Sequence, residues 1–215
     1  RDAQESRGLG DVYKRQEVQN GPVHAAVLRQ PCAKGSSHDR GICKRYSNFS
    51  YLRAMKQRIL FVCLGNICRS PAAEGIMRRL VADAGLEGVI EVDSAGTYGG
   101  HAGELPDARM RRAAVKRGYD LRHRSRRVAE EDFAAFDRIV AMDDTNYEAL
   151  CRMAPSREAM GKVCRMAEFF GPAHADRTYV PDPYYEGHEG FERVLDMLQE
   201  GCANLLAEVR SRIRS

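Results

Sequence analysis

The residues best equipped for chemistry stand together in Cys63-Leu64-Gly65-Asn66-Ile67-Cys68-Arg69-Ser70-Pro71. Five residues between a cysteine and an arginine let the backbone wrap one tetrahedral oxyanion, with its N–H groups inward and a helix N-terminus beneath. An arginine at the positive end of a helix is electrostatically misplaced unless an anion offsets both, so Arg69 calls for a bound dianion. Its planar guanidinium can grip two oxygens and neutralise equatorial charge as it develops in phosphoryl transfer, which lysine does less well. The same field acts on Cys63, since a thiol so placed can have its pKa lowered to about 3.5 to 7.5 and be thiolate at neutral pH. A thiolate can attack phosphorus in line and divide hydrolysis into two easier steps. A lone cysteine at a strand end is most simply an inert buried thiol. The Gly, Arg, Ser and Pro around Cys63 favour the functional reading instead. Gly65 is expected to permit the turn, and Asn66 suits a left-handed backbone.

Such a loop needs a strand before it and a helix after it. Residues 59–64 form a continuous apolar run, the mark of a strand buried on both faces in a parallel sheet. Ser70-Pro71 opens a helix over 72–84, with Ile76, Met77, Leu80 and Val81 at helical spacing. Strand signals recur over 89–92 and 138–142, more weakly over 162–166. Helical patterns over 107–117, 130–136, 144–153 and 190–210 separate or follow them. The alternation predicts an α/β fold, a three-layer α/β/α sandwich around a doubly wound, four-stranded parallel sheet of order 2-1-3-4, with a ligand site beyond the carboxyl ends of the strands.

The 215 residues, 43% apolar and 30% charged with a mean hydropathy of −0.50, suit one soluble domain with some chain to spare. No apolar run approaches the ~20 residues of a membrane span. The net charge of +4 is unevenly spread: residues 1–57 hold 11 Lys or Arg against 5 Asp or Glu, and 58–215 hold 23 against 25. The domain therefore lacks a basic footprint, and nucleic acid is set aside as a partner. Seven cysteines, odd in number and without paired spacing, argue against a metal site. With no leader sequence recognisable, free thiols in a reducing cytoplasm are expected. Residues 1–57 show no sustained periodicity and read as a disordered extension, with the domain over 58–215. Within them, Asp11-Val12-Tyr13-Lys14-Arg15-Gln16 is what the transposase mosaic end of sequencing libraries would encode, so at least residues 1–16 are read as an assembly artefact.

Val62-Cys63-Leu64-Gly65-Asn66-Ile67-Cys68-Arg69-Ser70-Pro71-Ala72-Ala73-Glu74 resembles the signature of the low-molecular-weight protein tyrosine phosphatases. The likeness continues through Val92-Asp93-Ser94-Ala95-Gly96-Thr97, His123-Arg124-Ser125-Arg126, Met142-Asp143-Asp144-Thr145-Asn146 and Asp182-Pro183-Tyr184-Tyr185, from 58 to about 210. It implies hydrolysis of phosphotyrosine in proteins through a cysteinyl-phosphate on Cys63. Arg69, Leu64, Gly65, Asn66, Ile67, Cys68 and Ser70 would surround the phosphate, and Asp182 would act as general acid and then base. Alone, Asp182-Pro183 is an ordinary turn signal. The resemblance also implies that Tyr184 and Tyr185 wall the substrate ring, that Ser94 and His123 hold Asn66, and that Ser70 hydrogen-bonds the nucleophile. In relatives, the cysteine matching Cys68 closes a reversible disulfide with the nucleophile under peroxide. No metal or organic cofactor is implied. The implied partner is a phosphotyrosine protein, which for bacterial relatives is often an autophosphorylating tyrosine kinase of polysaccharide export.

One departure stands out: where relatives often carry an aromatic residue, Tyr98-Gly99-Gly100-His101 has Gly100. One side of the cleft is therefore expected to be open, with Tyr98 able to substitute in part. Three alternative functions share features of this sequence. Arsenate reductases of this fold need further cysteines to relay a disulfide, and Cys151 and Cys164 are poorly placed for that. Phosphoarginine phosphatases carry Thr where this loop has Ile67. A non-catalytic phosphopeptide module would be expected to lack Cys63 or Asp182.

Overall fold

A computed structural model describes residues 56–214. Strand β1 (Gln57–Cys63) turns Ile59, Phe61 and Cys63 to one face and Leu60 and Val62 to the other, all of them buried. A strand covered on both sides has no solvent face to mark with polar residues, which is why its sequence reads as an unbroken apolar run. Helix α1 (Arg69–Asp83) follows, then β2 (Ile90–Gly96), α2 (Ala108–Lys116), α3 (Glu130–Ala135), β3 (Arg138–Ala141), α4 (Asp144–Met153), α5 (Arg157–Met160), β4 (Val163–Arg165) and the long α6 (His188–Arg214). The sheet order is β2-β1-β3-β4 and all pairings are parallel, as the alternation predicts.

Two cores flank the sheet. Ile76 and Met77 of α1, Met110 of α2 and Leu195 and Leu198 of α6 pack with Phe61 and Val140 on one side. Phe133 of α3, Leu150 of α4 and Ala159 of α5 pack with Leu60, Val62 and Ile139 on the other. The chain leaves β1 toward β2 on one side and later returns to β3 on the other. The carboxyl end of β1 is thus the switch point of the sheet, where a crevice opens.

The domain starts slightly earlier than expected. Gln57 pairs with Ile90 and its N–H donates to Val89 O at 2.8 Å, so Gln57 belongs to β1 rather than to an extension. The remaining expectations for residues 1–55, disorder and the artefact reading of 1–16 included, lie outside the described residues. Helix α5 and two 3₁₀ turns, Met166–Phe169 and Pro172–His174, were not anticipated. Four residues are too few for a 3.6-residue period, and α5 starts on a cap, Ser156 Oγ accepting from Ala159 N at 3.1 Å. Among the described residues, no helix is long and apolar enough to cross a membrane.

Candidate active site

The loop from Leu64 to Cys68 joins β1 to α1 at that switch point. Among the described residues, no carbonyl or side chain accepts a hydrogen bond from the backbone N–H groups of residues 65–70. Helix α1 has neither a side-chain cap nor an acidic residue in its first turn. Six unengaged donors and an uncapped helix end make a concentrated positive field, the setting an anion needs.

Asn66 has φ of 54°, the one positive φ outside glycine among the described residues. The φ of Gly65 is not positive; what it provides is room, because a Cβ there would lie 3.2 Å from Cδ2 of His101. Asn66 is fully buried and every polar atom of its side chain is engaged. Its Nδ2 donates to Ser70 Oγ and Ser94 Oγ, both at 2.9 Å. Its Oδ1 accepts from Arg126 N at 3.0 Å and faces His123 Nε2 at 2.9 Å. An amide oxygen can only accept, so His123 Nε2 carries a proton.

The network extends inward and outward from Asn66. Ser70 Oγ lies 3.1 Å from Cys63 Sγ and 3.2 Å from the Ala95 carbonyl. Its single proton can serve either, so an anionic sulfur would draw it from Ala95. On the far side, Ser94 Oγ donates to Glu74 Oε2 at 2.6 Å, and His123 Nδ1 lies 3.1 Å from the same oxygen. Burial pushes the Glu74 carboxyl up to about 7, against the Ser94 hydrogen bond and Arg78. Burial pushes His123 down, helped by Arg126 and Arg78 and opposed by Asp93. Glu74, Asp93 and His123 bring potential metal-ligand atoms within 4.8 Å of one another. The same three side chains also hold Ser94, Arg78, Arg126 and Asn66.

Arg69 is buried at 3% exposure. Its Nη1 donates to Asp143 Oδ2 at 2.6 Å and to Val180 O at 3.2 Å, and its Nη2 donates to Asp182 Oδ2 at 2.7 Å. Burial works against its charge, but the Cys63 sulfur, Asp182 and Asp143 outweigh it and hold the guanidinium above arginine's ordinary pKa. Asp143 also caps α4, its Oδ1 accepting from Asn146 N at 2.7 Å. Asp182 Oδ1 accepts from Tyr184 N at 3.1 Å, closing the turn that orients both residues.

A cleft of about 240 Å³ opens over the loop, lined by Cys63, Arg69 and Asp182 and by the exposed rings of Tyr184 and Tyr185. A domain built by alternating strands and helices thus ends in a thiol, a fixed guanidinium and a carboxylate facing one small cavity. A profile described as low molecular weight phosphotyrosine protein phosphatase matches residues 58–215. The chain belongs to that family. It is 49% identical over 155 residues to a putative low molecular weight protein-tyrosine-phosphatase of Synechocystis, covering 71% of this chain and 96% of the relative. It is 44% identical to a low molecular weight protein-tyrosine-phosphatase of Streptomyces coelicolor, covering 74% and 97%. A protein tyrosine phosphatase of Entamoeba histolytica, crystallised with Hepes in its active site, superposes with a TM-score of 0.70 at 42% identity, covering 73% of this chain and 99% of that one.

Within the phosphatase fold, each site residue named from the sequence falls in or beside the cleft: Leu64, Gly65, Ile67 and Cys68 line it, while Asn66, Ser70, Ser94 and His123 form the network beneath. The cleft is not open at Gly100, because Tyr98 and His101 line that side. Sequence reasoning missed Asp143 and Glu74. Asp143 stands three residues before Asn146 at a helix start, a spacing that reads as a cap and conceals the bond to Arg69. Glu74 carries a signal available in advance, a carboxylate on the helix face that also bears Met77 and Val81, but nothing local names Ser94 and His123 as its partners.

Proposed function

We propose that this chain hydrolyses phosphotyrosine in proteins by a two-step transfer through Cys63. The Cys63 sulfur forms a bond to phosphorus while the bond from phosphorus to the tyrosyl oxygen breaks, and Asp182 gives its proton to the departing oxygen. Asp182, now a carboxylate, takes a proton from water as that water attacks phosphorus. The sulfur–phosphorus bond breaks and inorganic phosphate leaves. Arg69 and the free amides of the loop carry the charge on the equatorial oxygens throughout. The incoming dianion competes with Asp182 for Arg69 Nη2, so capture of phosphate frees the carboxyl group for the leaving oxygen.

One observation carries the reading: Arg69 Nη2 and Asp182 Oδ2 meet at 2.7 Å in the cleft that Cys63 lines. Ile67 in the loop supports phosphotyrosine over phosphoarginine, and Asp143 occupies the place after β3 where a relay thiol would be sought. We further infer a cytoplasmic setting and, as partner, an autophosphorylating tyrosine kinase. Dephosphorylation of such a kinase in vitro tests the partner.

The main test is hydrolysis of an aryl phosphate by wild type, Cys63→Ser and Asp182→Ala, with arsenate reduction followed in parallel. Cys63→Ser should abolish turnover and keep oxyanion binding. Asp182→Ala should slow release of a poor leaving group by about 10²- to 10⁴-fold. Thiol-dependent arsenate reduction without phosphatase activity would contradict the proposal.

A further inference from the structure

Behind the phosphate loop, Glu74 of α1, Asp93 of β2 and His123 of the segment before α3 converge from three separate parts of the chain. His123 Nδ1 lies 3.1 Å from Glu74 Oε2 and 3.5 Å from Asp93 Oδ1, and the ligand atoms of all three side chains lie within 4.8 Å of one another. Nitrogen and oxygen ligands about 2.0 to 2.2 Å from a tetrahedral zinc ion stand roughly 3.3 Å apart, so two of these spacings already fit one.

The hydrogen bonding around His123 supplies a separate argument. The Asn66 amide has one orientation, because its Oδ1 accepts from Arg126 N and its Nδ2 donates to two hydroxyl groups. His123 Nε2 therefore donates to Asn66, and in the neutral ring that burial favours, Nδ1 is a bare lone pair. That lone pair faces carboxylate oxygens. Glu74 Oε2 and Asp93 Oδ1 each receive a donor, Ser94 Oγ at 2.6 Å and Ser94 N at 2.8 Å, and each keeps a further lone pair. Three acceptors aimed at one point call for a proton or a cation between them.

The surroundings also fit a metal. A ligating histidine almost always donates its other ring N–H to an acceptor that fixes the ring, the part Asn66 plays here. Arginines hold the outer carboxylate oxygens, Arg78 Nη2 on Glu74 Oε1 and Arg126 Nη2 on Asp93 Oδ2, both at 2.9 Å, which leaves the inner oxygens to converge. Glu74 and His123 line a cavity of about 320 Å³, separate from the catalytic cleft, that gives an ion a way in. We propose that Glu74, Asp93 and His123 bind a zinc ion, with water from that cavity as the fourth ligand. One imidazole and two carboxylates, with no thiolate, form a donor set that zinc accepts. Binding releases to solvent any proton held among the three side chains. The ion joins α1, β2 and the His123 segment beneath the phosphate loop and takes no part in phosphoryl transfer, so the claim stands apart from the phosphatase reading.

The experiment follows the imidazole nitrogens of the full chain by long-range proton–nitrogen NMR as zinc chloride is added, with calorimetric zinc titration of wild type, Glu74→Gln and Asp93→Asn. The His123 Nδ1 resonance should move to the metal-bound range while Nε2 stays protonated. Each variant should lose one zinc site or bind it at least about 100-fold more weakly, since loss of an outer partner alone costs about 10- to 100-fold. Circular dichroism checks that the variants are folded, and the NMR titration needs no variant. A His123 resonance unmoved at saturating zinc would overturn the proposal, as would a zinc isotherm unchanged in both folded variants.

Discussion

The floor and the rim of the cleft are built on opposite terms. At the floor Asn66, Arg69, Ser70 and Ser94 are each at most 3% exposed, and their side chains are mutually or externally hydrogen-bonded. At the rim Tyr98 is 57% and Tyr185 96% exposed, and they are held by ring contacts and a few backbone bonds. A buried polar network tolerates no half-satisfied member, so the floor has one arrangement and serves one chemistry. The rim has room to vary, and variation there alters which ring is held. The floor should therefore answer mutation in kcat and the rim in affinity.

The largest effect should come from the floor's cation. Arg69→Lys replaces two directed donors with one compact charge and leaves Asp143 or Asp182 without its partner; a fall in kcat of about 10²- to 10³-fold is expected in steady-state assays. Loss confined to KM would mean that Arg69 only binds. Asp143→Asn tests the support behind it. The amide keeps the cap geometry but not the ion pair, so kcat for an aryl phosphate should drop about tenfold while the fold, followed by circular dichroism, persists. Full activity would break the claim that Asp143 positions Arg69.

A third test reaches the far end of the network. Burial raises Glu74 from 4.5 to about 7, so its protonated form favours the folded state. That contribution is complete below the unfolded value and is lost as pH rises through about 7, on the order of 3 kcal/mol over the interval. Arg78, Asp93, Arg126, Ser94 and His123 all face this carboxyl and are common to both proteins compared. Glu74→Gln, which can still accept from Ser94, should not show this decline. The stability of wild type relative to the variant, from urea unfolding, should fall between pH 4.5 and 7, and a constant difference would contradict the buried-acid reading. The smallest effect concerns recovery rather than rate. Cys68→Ser should leave turnover near wild type but make peroxide inactivation harder to reverse with thiol, and unchanged recovery would remove Cys68 from any protective role.

The same contrast explains what could be read in advance. The floor was legible because its geometry is local: seven consecutive residues, one strand before and one helix after, set Cys63 and Arg69 in position. Ser94 and His123 lie far away in sequence, and only the family resemblance named them. The alternation of strands and helices, and with it the layered α/β fold, follows from apolar periodicity in the longer elements. At the rim, Tyr98 was expected to substitute in part for a side chain at position 100, but the loop conformation that lays its ring over Gly100 is one that no periodicity encodes. Asp143 and Glu74 escaped for a related reason, since each already had an ordinary local reading, as a cap or as a helix residue, that hid a distant partner.

The central claim is that phosphate rests covalently on Cys63 between the two steps. Asp182→Ala with a good aryl leaving group isolates that state, because departure no longer needs an acid while water still lacks its base. Rapid quenching followed by peptide mass spectrometry should find phosphate on the Cys63 thiol, in near-stoichiometric yield and absent from Cys63→Ser. Aryl phosphate hydrolysis with phosphate on no residue, or on one other than Cys63, would contradict the account.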